Sequence, residues 1–155
     1  MGKNVQSPIV ARWIPNFGGF MKTELLFLLL TAVLTGLLWI PVVVGYVLSR
    51  GLLKAEDYKV APTSPLPAWV NRANRAHVNA VENFAQFAAV VLVAQLVGVS
   101  TYVTECCAVI YFIARAAHAV VHISGAGFLM ARTILFTIGW IAFITYAVVV
   151  LQKAF

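Results

Sequence analysis

Four long, mostly apolar stretches decide what this chain can fold into. They run from Leu25 to Leu48, Ala76 to Val97, Tyr102 to Ile123 and Leu129 to Leu151. Each is close to the ~20 residues that a helix needs to cross a hydrocarbon core of ~30 Å. All are rich in Leu, Val and Ala and lack the strict alternation of a barrel strand, so their backbone polar groups have to be satisfied within helices. With 62% of residues hydrophobic and 10% charged, too few polar side chains remain to cover a water-soluble fold. The expected fold is all-α: an integral membrane, multi-pass bundle of four transmembrane helices in a lipid bilayer. The same scarcity of charge argues against nucleic acid as a partner. The basic residues behind the net charge of +6 are dispersed among apolar segments and form no groove or stacking platform.

The connections set the order of the bundle. Residues 1–22, with Pro8, Pro15, Gly18 and Gly19 beside Lys3 and Arg12, read as an N-terminal surface extension, and residues 23–155 as a single domain. The extension lacks a signal-peptide cleavage pattern, and Ser7 falls one position late for a myristoylation signal. The first loop, Arg50 to Asn74, carries Lys54, Glu56, Asp57 and Lys59. It then stiffens in Ala61-Pro-Thr-Ser-Pro-Leu-Pro before the interfacial Trp69. Gly98 with Ser100, and Ser124-Gly-Ala-Gly, are short enough to make their flanking helices antiparallel neighbours. Pro41 should kink the first span, because it lacks the N–H that closes a helical turn. Arg50, Lys54, Lys59, Arg72, Arg75 and Arg132 lie on the side of the long first loop, against Lys3, Arg12, Lys22 and Lys153 on the other. The positive-inside rule therefore makes that loop cytoplasmic.

Polar residues inside apolar helices are expensive and point to function. Arg75, Asn79 and Glu82 recur at spacings of four and three, on one face of the second helix, and Glu82 is carried well into the span. Arg115, His118 and His122 form a second stripe near the end of the third helix. Arg50 ends the first helix, and Arg132 with Thr133 opens the fourth. All of these fall at one membrane face. Arg75 and Arg115 are the nearby cations for Glu82, and the surplus positive charge, with the N–H groups of a helix start, suits an anion, a carboxylate in particular. The plainer reading of Arg75 and Glu82 is a structural ion pair between helices, and His77 reads as an interfacial anchor. His118 and His122 have no partner histidine on another helix at their depth, so no metal is expected. A proton- or ion-conducting bundle would need polar residues on the other half of the membrane as well. At that other end, adjacent Cys106 and Cys107 read as buried filler, with Glu105 meeting Lys22 or Lys153. Ala80, Ala88, Ala116 and Ala119 permit close helix approach.

Arg75-Ala-His-Val-Asn-Ala-Val-Glu-Asn followed by Phe84 resembles the second-helix signature of the MAPEG superfamily, the membrane-associated proteins in eicosanoid and glutathione metabolism. Ala114-Arg-Ala-Ala-His118, then His122, and Arg132-Thr resemble its third and fourth helices, so the likeness runs from Thr23 to about Gln152. Trp39-Ile-Pro and Arg50-Gly-Leu-Leu are similar to the bacterial branch, which implies an inner membrane. The resemblance implies a homotrimer resembling a microsomal glutathione transferase, with glutathione as cosubstrate at subunit interfaces. Arg50, Arg75, Asn79, Glu82, Arg115, His118, His122 and Thr133 would hold it. Arg132 would be the catalytic residue, stabilising the thiolate that conjugates or reduces a small lipophilic electrophile or hydroperoxide. His122 and Phe136 stand where other members carry tyrosines. The alternative implied by that departure is a diverged, non-catalytic member that binds a thiol or other anion.

Overall fold

In the computed structural model, residues 21–52, 54–59, 65–126 and 130–154 are described. The expectations for Met1 to Phe20 and for the start of the proline-rich run lie outside them. The elements are α1 (Thr23–Leu37), α2 (Trp39–Arg50), α3 (Ala68–Leu96), α4 (Tyr102–Ser124) and α5 (Ala131–Ala154), with one 3-10 turn at Ala55–Tyr58. All described regular structure is helical. Counting α1 and α2 together, four segments are long and apolar enough to cross a membrane: Thr23–Arg50, Ala68–Leu96, Tyr102–Ser124 and Ala131–Ala154.

The first span breaks where its proline requires. Leu38 N still donates to Leu34 O at 3.1 Å, but Pro41 has no N–H for the carbonyl of Leu37, so α1 ends and α2 restarts at Trp39 with Pro41 in its first turn. The second span starts eight residues before the apolar stretch does. Val70, Ala73 and Ala76 are buried on one face while Asn71, Asn74 and Arg75 are exposed. The helix therefore runs through an amphipathic segment that hydropathy alone passes over. Glu82 consequently sits near the midpoint of a 29-residue helix.

α4 is the most buried span and packs against α1, α3 and α5. Its core contact is an aromatic stack, Phe87 on Tyr111 with centroids 3.9 Å apart, met edge-on by Tyr146 of α5 at 6.4 Å. Nearer the first-loop face, Leu38, Ala80 and Ala119 form a smaller cluster in which alanines let the helices approach. Gly45 does the same between α2 and α3, since a Cβ there would overlap Val70 and lie 2.9 Å from the Trp69 ring.

At the opposite face, the buried carboxylate is Glu24. It is 0% exposed, and its Oε1 accepts from Ser100 Oγ and from Thr104 Oγ1, each at 2.9 Å. Thr101 and Thr104 cap the start of α4 reciprocally, so Glu24 lies at the partial positive charge of that helix start as well as in the first turn of its own. The expected pairing of Glu105 with Lys22 or Lys153 is absent among the described residues. Glu105 is one position round the helix from Thr104, away from where α1 meets the capped end of α4. Cys106 and Cys107 are free thiols, half-buried and buried.

Candidate functional site

Three helices line an open cavity of about 520 Å³ on the side of the long first loop. From α3 come Arg75, Asn79 and Glu82, and from α4 come His118 and His122. Arg132, Thr133 and Phe136 of the first turns of α5 close it. Seven of the residues singled out in the sequence thus share one wall. The helical period explains the α3 and α4 stripes, and the turn after Ser124 brings the start of α5 back beside the end of α4.

Two of the expected residues stand elsewhere. Arg115 is 5% exposed and lies behind the wall. Its Nη2 donates to Asn79 Oδ1 at 2.7 Å and to Asn79 O at 3.0 Å, while its guanidinium carbon lies 5.7 Å from the Phe136 ring centroid. The same Asn79 carbonyl accepts from Asn83 Nδ2 at 2.8 Å, and Asn83 O accepts from Tyr111 Oη at 3.0 Å. This chain of bonds ties α3 to α4 inside the membrane, where an unpaired polar group is costly. Arg115 therefore serves Asn79 and leaves Glu82 to others. Arg50 lies at the end of α2, over the Tyr46 ring at 5.3 Å, and does not line this cavity.

The geometry on the open side is uncommitted. Arg75, Glu82, Arg132 and Thr133 are exposed within the single chain, and among the described residues Glu82 has no ion-pair partner. His118 is buried and meets His122 edge-to-face at 5.4 Å. Arg132 and Thr133 are in the first turn of α5, whose early N–H groups have no partner within the helix. The wall thus offers two guanidinium groups, an amide, two imidazoles, a hydroxyl and one carboxylate. That set can hold a molecule bearing carboxylates and an ammonium. Among the described residues, no three His, Cys, Asp or Glu side chains come together as a metal site.

Arg72 is a neighbour the sequence reading did not place at the site. Its Nε donates to Ile123 O, in the last turn of α4, at 3.1 Å. Its guanidinium fits over Gly125, where an added Cβ would lie 2.7 Å from Cζ. Arg72 also lines a second cavity of about 350 Å³, which shares His122, Arg132 and Thr133 with the first. The signal was available: Arg72 is three residues before Arg75 and so on the same helix face. A first loop taken to run as far as Asn74 hides it.

The family model for the MAPEG family matches residues 25–152, from the first turns of α1 to the end of α5. No curated protein matches the chain.

Proposed function

Because the chain belongs to the MAPEG family, membrane-associated proteins in eicosanoid and glutathione metabolism, we propose that it is a membrane-bound glutathione transferase with peroxidase capacity. The observation that carries this reading is the single cavity lined by Arg75, Asn79, Glu82, His118, His122 and Arg132. Glutathione presents two carboxylates, one ammonium and a thiol. Arg75 and the start of α5 suit the carboxylates, and Glu82 suits the ammonium. Arg132 beside the sulfur would favour the thiolate, each pKa unit of lowering corresponding to ~1.4 kcal/mol.

In conjugation, the thiolate lone pair forms the carbon–sulfur bond and the leaving group departs with its bonding pair. In reduction, the same lone pair takes the terminal peroxide oxygen while the O–O bonding pair leaves as an alkoxide, which gains a proton to give the alcohol. The resulting glutathione sulfenic acid condenses with a second glutathione to give the disulfide and water. A lipophilic acceptor arrives from the bilayer that the four spans occupy, and the positive-inside rule makes the face carrying the cavity cytoplasmic.

Glu82 gives the argument for self-association. It is exposed within one chain inside the apolar stretch that begins at Ala76, where an unpaired charge is costly, up to ~2.5–3.5 kcal/mol at the centre of a span on insertion scales. A homotrimer would cover that face and bring Arg50 of a neighbouring α2 to the ligand. A second reading, thiol binding without turnover, is favoured by His122 and Phe136, which by the family resemblance stand where other members carry tyrosines.

The test is a glutathione titration of detergent-purified protein, recording thiolate absorbance, followed by addition of 1-chloro-2,4-dinitrobenzene. Thiolate formation with conjugation, both lost in Arg132→Ala, is the expected result. Binding without a thiolate signal selects the non-catalytic reading, and no binding removes both.

A further inference from the structure

The smaller cavity is separated from the larger by one wall, and its chemistry differs. Among its described lining residues, Arg72 and Arg132 supply two guanidinium groups and no carboxylate is present. Val121, Ala126, Met130 and Ala131 make much of the remainder apolar. Arg72 is held in place by its bond to Ile123 O and its seat over Gly125, whose φ of 72° favours glycine. That tie uses Nε alone and leaves the terminal NH2 groups of the guanidinium as donors. In the larger cavity Glu82 balances part of the positive charge; in the smaller one nothing on the described wall does.

We infer that the smaller cavity binds the acidic end of the acceptor, an apolar molecule carrying a carboxylate or similar anion. Its anionic group pairs with Arg72, and its reactive centre faces the shared wall of His122, Arg132 and Thr133. The inference rests on the thiol reading of the larger cavity. A guanidinium fork matches a carboxylate bidentately, and a site beside the membrane surface suits an amphiphile whose charged end stays at the interface. With a haloarene acid, the thiolate forms the C–S bond and the halide leaves with its electron pair, so no further reactant is required. The other source of such an anion is glutathione itself, reaching across the wall with one of its own carboxylates.

Fluorine NMR titrations of 4-(trifluoromethyl)benzoate and its uncharged carboxamide, on nanodisc-embedded protein saturated with glutathione, separate these cases. The benzoate is expected to bind about tenfold more tightly than the amide, the factor worth ~1.4 kcal/mol for one charge-assisted contact. Arg72→Gln removes that preference. Ala126→Phe, which fills the cavity without touching the tie to α4, weakens both compounds and leaves glutathione affinity unchanged. Arg75→Gln lowers glutathione affinity and leaves the benzoate preference intact. Equal binding of the two probes overturns the inference. So does a preference that follows Arg75 instead of Arg72, or one that is present in protein without glutathione and lost once glutathione saturates it. If glutathione does not bind, the thiol reading falls alone, because an Arg72-dependent preference without glutathione still identifies the site.

Discussion

Asn79 gives both its side-chain oxygen and its backbone carbonyl to Arg115, and this makes one amide responsible for a buried guanidinium. Asn79→Ala keeps the backbone contact and removes the shorter one, so it should cost ~1.5–3 kcal/mol, the range for a hydrogen bond to a charged group. Unfolding of the purified protein in detergent would measure it. The same substitution should weaken glutathione binding, since Asn79 also lines the cavity. Glu24 is the contrasting case, at the far membrane face. Glu24→Leu takes the acceptor from Ser100 and Thr104 and should destabilise by ~1–3 kcal/mol. Glu24→Gln, which keeps an oxygen there, should cost less, and neither change should alter glutathione affinity. In the sequence, Asn79 was identifiable from its spacing to Arg75 and Glu82. Glu24 was not, because a lone carboxylate at the head of an apolar run looks the same whether it faces the headgroups or the N-terminus of another helix.

The helices themselves follow closely from local sequence, and their ends are decided by single residues. Pro41 divides the first span, and Gly45 then sets how near α2 can come to α3. Gly45→Leu would drive a side chain into Val70 and Trp69, and a destabilisation of ~1–3 kcal/mol from overpacking is expected. Thermal unfolding should register it, along with faster protease cleavage of the first loop. At the other junction, Gly125→Ala meets two obstacles, a φ of 72° and the Arg72 guanidinium. The backbone alone accounts for ~1–2 kcal/mol, and displacement of Arg72 adds to it. Loss of the Arg72 to Ile123 bond should show as faster amide exchange in the last turn of α4. The early start of α3 escaped a hydropathy reading for a physical reason: an interfacial helix with alternating apolar and polar faces has a low mean hydropathy, while its buried stripe of Val70, Ala73 and Ala76 is unbroken.

For the molecule as a whole, Glu82, exposed within one chain inside an apolar stretch, predicts association. Native mass spectrometry in mild detergent is expected to give three copies of the chain, and a monomer that still binds glutathione would refute the interfacial site. The amino-acid sequence by itself determined that the protein spans a bilayer with four helical segments, and that its arginines, histidines and Glu82 collect at one face. Those properties depend on segment length and on the helical period, which are local. It also determined the family, through three motifs in order along the chain. Only the tertiary structure decided which of the polar residues line a cavity and which face one another. Arg115 turned to Asn79, Glu24 joined α1 to the start of α4, and Arg72 fastened the end of α4 beneath a second cavity. The reason is that a long polar side chain in a membrane protein takes whichever partner the crossing of two helices puts within about 3 Å, and spacing along one helix does not fix that crossing.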